Sequence, residues 1–194
     1  MFLYSIDMLV HSYSVSRVNG PGKRFVLWTQ GCSKGCKNCY NPNTWKFEGK
    51  EMSPEEILEL IENFEVDGIT LTGGDPLEQE DILILLEGLY NLNLPKGIIL
   101  FSGYTFDEIN KCSLRDCFNY IDILIDGKFE EDFKITNGLR GSSNQNVISF
   151  SNKIFEEEIS IDHEIEIGML EEQIFLTGFP KLDKKYLKQL GVIV

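Results

Sequence analysis

The residues of this chain best suited to chemistry are three cysteines in one short loop. Cys32, Cys36 and Cys39 follow a C-x3-C-x2-C pattern. Thiolates this close together are typical ligands of a metal ion or an iron–sulfur cluster. A [4Fe-4S] cubane held by three thiolates keeps one iron without a protein ligand, and that iron can bind a substrate and pass an electron to it. The loop is therefore a candidate for catalysis rather than for electron storage alone.

A zinc knuckle is the alternative use of these cysteines. Zinc needs a fourth ligand at similar range, but the two histidines, His11 and His163, are distant in the sequence and lie in no ligand motif. The remaining cysteines, Cys112 and Cys117, lie on a predicted helix at a spacing that does not place them on one face. We interpret them as buried or idle thiols, with a second metal site as the alternative.

Predicted strands and helices alternate along the chain, which indicates an α/β fold with a parallel sheet. The strands are predicted at 25–28, 68–72, 98–101, 121–125 and 147–150. The helices are predicted at 53–64, 78–91 and 105–118, the first and the last of them opened by capping boxes. Parallel strands end at one edge of a sheet, so the loops that follow them should meet there.

The chain is too short for the eight repeats of a closed barrel. We therefore predict a partial, open β/α barrel, followed by a small C-terminal β-hairpin that pairs 165–167 with 174–176 and by a helix over about 183–190. The whole chain, 1–194, is predicted to be one domain, with a core over about 17–150 and a C-terminal extension over about 151–194.

Composition excludes several kinds of partner. The net charge is -13, from 31 acidic against 18 basic residues, whereas sequence-independent nucleic-acid binding needs a basic surface. No apolar run reaches the length of a membrane span, and the amino terminus lacks the charged segment of a signal peptide. Five cysteines, three of them clustered, make a poor disulfide framework. We therefore expect a cytoplasmic protein that binds neither nucleic acid nor a membrane.

Other segments accompany the cysteine loop over about residues 17–148. They are Asn19-Gly20-Pro21-Gly22-Lys23-Arg24, Gln30-Gly31-Cys32, Tyr40-Asn41-Pro42-Asn43-Thr44-Trp45, Gly73-Gly74-Asp75-Pro76, Asp126-Gly127-Lys128-Phe129 and Arg140-Gly141-Ser142-Ser143-Asn144-Gln145. Together they resemble the radical S-adenosylmethionine (radical SAM) superfamily, and within it the group that activates anaerobic ribonucleotide reductases. The chain departs from the family at Asn19, where Asp is usual, and at Asp75, where Glu is frequent.

The resemblance implies two cofactors and a reaction. The three loop cysteines would ligate a [4Fe-4S] cluster, and S-adenosylmethionine (SAM) would chelate the open iron. Reductive cleavage of SAM would give a 5'-deoxyadenosyl radical, which takes a hydrogen atom from a glycine of a large glycyl radical enzyme. For this group that enzyme is the anaerobic ribonucleoside-triphosphate reductase, and a flavodoxin or ferredoxin-type protein would donate the electron.

The resemblance and the strand-end positions also give candidate SAM-binding residues. Gly73, Gly74, Asp75 and Pro76 would hold the amino group of SAM, and Ser102 follows the next strand. Two glycines let a backbone approach a ligand closely, although the same four residues could be a plain turn.

Four further residues keep two interpretations each. Asp126 can bind ribose hydroxyls and Lys128 the SAM carboxylate, or both can form a solvated turn. Arg140 is a candidate for the carboxylate or for the partner chain, or else an exposed loop arginine. Tyr40 could stack near the adenine or serve as a packing residue.

Two rival functions stay open from the sequence. The first is another small radical SAM enzyme that acts on a peptide or on a small molecule such as a deazapurine precursor. The second is a ferredoxin-like electron carrier, which would usually have four cluster cysteines and would not need Gly-Gly-Asp-Pro.

Overall fold

One mixed sheet organises the chain. The computed structural model describes residues 7–136, 138–160, 165–170 and 173–178. Within them the sheet has seven strands in the order β3-β1-β2-β4-β5-β6-β7. The strands are β1 Met8–Ser16, β2 Arg24–Thr29, β3 Lys50–Met52, β4 Gly68–Gly73, β5 Ile98–Phe101, β6 Ile123–Asp126 and β7 Asn146–Ser149. The helices are α1 Pro54–Glu62, α2 Ile82–Asn91, α3 Phe106–Asn110 and α4 Glu156–Ile159.

The four central strands, β2, β4, β5 and β6, are parallel. β1 pairs antiparallel with β2, β3 with β1, and β7 with β6, so both edges of the sheet are antiparallel. The predicted α/β class and parallel core are confirmed. The two strands β1 and β3 were not predicted. The strand predicted at 147–150 is present as β7 but runs antiparallel to β6, so the sheet is mixed rather than wholly parallel.

The two faces of the sheet bury different partners. Alternate residues of the parallel strands point to opposite faces because a strand has a period of two. One face carries Phe25, Leu27, Ile69, Leu71, Ile98, Leu100 and Leu124, which share a core with the apolar sides of α1, α2 and α3. The other face carries Ile99, Ile123 and Ile125, which pack with Leu139, Ile154 and Ile159.

The helix starts follow the predicted capping chemistry. Ser53 accepts from the N–H of Glu56, whose side chain accepts from the Ser53 N–H, and Thr105 forms the same reciprocal pair with Glu108. The helix predicted over 105–118 is interrupted, however. It ends at Asn110 and continues as a 3₁₀ segment, Ser113–Asn119, after an extended residue at Cys112.

A second, two-stranded sheet follows. β8 Glu166–Leu170 pairs antiparallel with β9 Gln173–Thr177, so that Ile167 faces Leu176, which confirms the predicted hairpin. The helix predicted over 183–190 lies outside the described residues. No helix in the described part of the chain is both long and apolar enough to cross a membrane.

Arg24 joins the amino ends of the parallel strands. Its side chain is fully buried. The guanidinium donates to the Thr70 hydroxyl and to the backbone carbonyls of Pro21, Ile69, Lys96 and Gly97. Burial lowers the pKa of Arg24 to about 9, so it is still charged at neutral pH. This end of the sheet is opposite the site described next.

Candidate functional site

A cavity of about 350 Å³ lies where the central parallel strands end. Its lining includes the three loop cysteines, Tyr40, and residues that end or follow β4, β5 and β6. The predicted site residues in this lining are Cys32, Cys36, Cys39, Tyr40, Gly73, Gly74, Asp75 and Ser102. The volume is within the usual range of small-molecule sites, about 300–1,000 Å³. The predicted convergence of these loops is therefore present in the fold.

The cysteine loop is fixed to the protein at its first turn. The N–H of Gly31 donates to the Thr44 carbonyl at 2.7 Å, and the N–H of Cys32 donates to the Trp45 carbonyl at 3.1 Å. On the other side, Glu78 accepts from the Ser33 backbone N–H at 2.7 Å and from its hydroxyl at 2.6 Å. Glu78 follows β4, so it ties the cysteine loop to the neighbouring strand end.

A backbone N–H group points at each cysteine sulfur. The donors are Lys34 for Cys32, Phe129 for Cys36 and Asn41 for Cys39. Such N–H···S contacts recur around iron–sulfur clusters, where they help set the reduction potential. Three thiols with amide donors, all lining one cavity, therefore fit the chemistry of a cluster.

Burial opposes ionisation of these thiols when no metal is bound. It raises the pKa of Cys32 to about 11 and also raises the pKa of Cys36. Metal ligation requires thiolates, so loading would release protons. In the described part of the chain, no three or more His, Cys, Asp or Glu side chains form a group that could hold a single metal ion. A [4Fe-4S] cluster differs from a single ion because each thiolate binds a different iron.

Gly73 and Gly74 approach protein backbone rather than open space. A Cβ at Gly73, where φ is +100°, would lie 2.7 Å from the backbone N of Thr29, and one at Gly74 would lie 2.3 Å from the carbonyl oxygen of Gly31. The Gly74 N–H donates to the Thr29 carbonyl, and the Asp75 N–H donates to that of Gly31. The two glycines therefore let the loop after β4 pack against the start of the cysteine loop. Both also line the cavity, and their contact with SAM stays a prediction.

Asp75 is completely buried and faces the cavity. Its carboxylate accepts from the Ser102 hydroxyl at 3.0 and 3.2 Å, from the Gly103 N–H at 2.9 Å and from the Leu77 N–H at 3.1 Å. Burial raises the pKa of Asp75 to about 6, against the effect of these donors. Ser102 therefore orients the carboxyl group of Asp75. Because burial disfavours its ionised form, a further hydrogen-bond donor from a ligand would stabilise the carboxylate.

Four predicted site residues do not line the cavity. Pro76 is buried as the first residue of the 3₁₀ turn Pro76–Glu78. Asp126 is 1% exposed, and its carboxylate accepts from the N–H of Phe106 and from the backbone and side-chain amides of Asn146. These bonds give the buried carboxylate a structural role in the protein. Lys128 is exposed. Their contact with SAM stays a prediction, and the geometry gives it no support.

Arg140 is the fourth of these residues. It is half-buried and donates from Nη1 to the Gln145 carbonyl at 2.9 Å. Gln145 does reach the cavity, and its amide joins the Gly141 N–H to the Gly127 carbonyl. The arginine thus holds the loop that carries lining residues, and its contact with SAM or with a partner stays a prediction.

Tyr40 lines the cavity beside a second aromatic ring. Its ring meets that of Phe129 edge-on at 5.0 Å, and Lys134 Nζ lies 5.2 Å from its centroid. Burial raises the pKa of Tyr40 to about 12, so the hydroxyl keeps its proton. The packing role is observed, and stacking on an adenine remains a prediction.

Cys112 and Cys117 are separate from the site. Cys117 is buried in the main core and burial raises its pKa to about 12, whereas Cys112 is exposed. The interpretation of Cys117 as a buried thiol is confirmed. Neither residue lines the cavity.

The sequence interpretation missed several lining or supporting residues. Glu78 and Lys34 lie in or beside recognised motifs but were not assigned roles. Thr177 and Gly178 belong to the tail, yet they line the cavity, and Asn19 donates to the Thr177 hydroxyl at 2.7 Å. The motif context could have indicated Glu78, whereas the tail contact joins residues 158 positions apart and leaves no local signal.

Comparison with known proteins agrees with this site. The family model described as a 4Fe-4S single cluster domain matches residues 18–148. The anaerobic ribonucleoside-triphosphate reductase-activating protein of Salmonella typhi is 39% identical over 143 residues, covering 69% of this chain and 92% of its own length. The protein of the same name from enterobacteria phage T4 is 33% identical over 153 residues, covering 75% of this chain and 96% of its own length.

A crystal structure of QueE from Escherichia coli is a weaker match. It has a TM-score of 0.43 and 18% sequence identity, over 51% of this chain and 54% of that one. The family model covers more than half of the chain, and the relatives align over nearly their whole length. This chain therefore belongs to the family of anaerobic ribonucleoside-triphosphate reductase-activating proteins, which carry a 4Fe-4S single cluster domain.

Proposed function

We propose that this chain binds a [4Fe-4S] cluster and SAM in the cavity and generates a glycyl radical on an anaerobic ribonucleoside-triphosphate reductase. One observation carries the proposal. Three cysteines, each with an amide donor to its sulfur, share one cavity with the buried carboxyl group of Asp75. When both cofactors are bound, they supply one electron and a 5'-deoxyadenosyl radical.

The protein's own residues supply the positions and the environment. Cys32, Cys36 and Cys39 hold the cluster, and Glu78 keeps their loop against the end of β4. Asp75, oriented by Ser102, accepts from the amino group of SAM. The apolar lining, which includes Trp28, Trp45, Phe101 and Leu139, excludes water from the reacting atoms.

Support for an external substrate comes from the relatives, whose name says that they activate a ribonucleoside-triphosphate reductase. We take residues 1–194 to be one domain that forms an open β/α barrel. The reductase would then close the open side of the cavity, with the Arg140 loop on the rim. We also propose that a flavodoxin or ferredoxin-type protein donates the electron, that the protein is cytoplasmic, and that it binds neither nucleic acid nor a membrane.

Anaerobic reconstitution tests the cluster assignment. The protein should bind about four irons and four sulfides per chain, and substitution of Cys32, Cys36 or Cys39 by alanine should abolish stable binding. Cys112→Ala is the matched control, because this thiol is exposed and does not line the cavity, and it should keep the iron. Tightly bound zinc without iron in anaerobically purified protein would contradict the proposal.

An assay of the reaction tests the rest. With SAM and a reductant, the reconstituted protein should release 5'-deoxyadenosine slowly, and the reductase should accelerate the release. Acceleration by a peptide or a small molecule, with no effect of the reductase, would instead favour another small radical SAM enzyme.

A further inference from the structure

Lys34 is a buried cation inside the cysteine loop. It lies between Cys32 and Cys36, and its side chain is 10% exposed. In the lining formed by the described residues, it is the one lysine or arginine side chain. A buried ammonium is costly unless anions or other polar groups surround it. Its position therefore needs a physical explanation beyond solubility.

The contacts of Lys34 within the protein do not fill the hydrogen-bonding capacity of its ammonium group. Glu78 Oε1 lies 3.6 Å from Nζ, which is longer than an N–H···O hydrogen bond. The same carboxylate already accepts two shorter bonds from Ser33. The ring of Tyr104 also faces the ammonium, with its centroid 2.8 Å from Nζ. These contacts hold the charge in place without saturating its three donors.

Lys34 and Asp75 flank one residue, Gly103. The Gly103 N–H donates to Asp75 Oδ2 at 2.9 Å, while a Cβ at Gly103 would lie 2.7 Å from Lys34 Cγ. The Lys34 stem and the Asp75 carboxylate thus lie against the same glycine at the cavity wall. A ligand group that carries an amino nitrogen and a carboxylate on one carbon has the complementary pattern of charge.

We propose that Lys34 binds the carboxylate of the methionine part of SAM, while Asp75 accepts from its amino group. This assignment rests on the proposed function, because it presumes that SAM occupies the cavity. It adds Lys34 to the two candidates predicted from the sequence for this carboxylate: Lys128, which is exposed, and Arg140, whose guanidinium donates to a backbone carbonyl. Lys34 is then a binding residue that sets the orientation of the cofactor.

The proposal is tested by measuring the affinity of two ligands, SAM and decarboxylated SAM, for two lysine variants. Binding of SAM and of decarboxylated SAM to reconstituted protein is measured by equilibrium dialysis, with iron content as a check on the cluster. Lys34→Met should weaken SAM binding about tenfold or more, the usual effect of a lost charge-assisted contact. It should leave the affinity for decarboxylated SAM within about twofold, because that ligand has no carboxylate to lose.

Lys37→Met is the matched control. Lys37 lies in the same loop, pairs with Glu131 at 3.3 Å and is 81% exposed, so its loss should change neither affinity. If Lys34→Met weakened both ligands equally, or lost its iron, Lys34 would be a structural anchor and the proposal would be overturned. If the wild-type protein bound the cluster but not SAM, the proposed function itself would fail.

Discussion

Asp75→Asn keeps the shape of a buried side chain and removes its charge. Asp75 is completely buried, accepts from three neighbouring residues, and has a pKa raised to about 6 by burial. Asparagine retains one acceptor oxygen and cannot titrate. The variant therefore isolates what the ionisation of this carboxyl group does to stability and to SAM binding.

The effect on stability follows from the direction of the pKa shift. Because the folded-state pKa is above the ordinary value of 3.8, the stabilisation due to Asp75 is fully present below pH 3.8 and is lost as the pH rises through about 6. Between about pH 5.5 and pH 8, the free energy of unfolding of the cluster-free protein should fall by roughly 0.8 kcal/mol more than that of Asp75→Asn. Urea unfolding of both proteins at the two pH values measures this difference.

The effect on SAM has the opposite sign. An ionised carboxylate is the stronger acceptor for the SAM amino group, so protonation of Asp75 at low pH should weaken binding by the wild type alone. The ratio of the Kd of Asp75→Asn to that of the wild type should be about four times larger at pH 8 than at pH 5.5. Titrations of SAM itself cancel in this ratio. An equal ratio at both pH values would refute the role of Asp75 as a titrating acceptor.

Three further predictions, one of them with a matched control variant, follow from the packing. Gly74→Ala places a methyl group 2.3 Å from the Gly31 carbonyl oxygen, so it should lower the free energy of unfolding by about 2–3 kcal/mol and reduce the iron content after reconstitution. Gly35→Ala is its control: no atom lies within 4 Å, but φ is +57°. It should lower the free energy of unfolding by only about 1 kcal/mol and keep the full iron content. Arg24→Met should lower the free energy of unfolding by about 3–5 kcal/mol in urea titrations, and a loss below about 1 kcal/mol would contradict its structural role. Thr177→Val removes the hydroxyl that accepts from Asn19, which should lower the local stability of the hairpin by about 1 kcal/mol. Amide hydrogen exchange in β9 should therefore be faster, and unchanged exchange would show that this bond does not hold the hairpin.

The elements that the sequence predicted well have local causes. Both capping boxes formed as expected because Ser53 and Thr105 need only a glutamate three residues later. The strands β4 and β5 are short apolar runs bounded by glycine or serine, and their ends meet because parallel strands share an edge. That rule alone brought Asp75 and Ser102 to the cysteine loop.

The features that escaped prediction depend on contacts between distant residues. Polar residues interrupt the apolar pattern of β1, which is identified as a strand only through its pairing with β2 and β3. The helix after Thr105 breaks at Cys112, although no glycine or proline marks the break. Arg24 looks like a surface residue in the sequence, but its donors find carbonyls from three separate segments. Such partners cannot be identified before the strands are assembled.

Transfer of deuterium is the most direct test of radical generation on the reductase. Reconstituted protein is incubated anaerobically with SAM, a reductant and an anaerobic ribonucleoside-triphosphate reductase in which glycine carries deuterium at its α-carbon. We expect a glycine-centred signal on the reductase by electron paramagnetic resonance and deuterium in the 5'-deoxyadenosine that is released. Formation of 5'-deoxyadenosine without deuterium, and without a radical on the reductase, would contradict the proposed function.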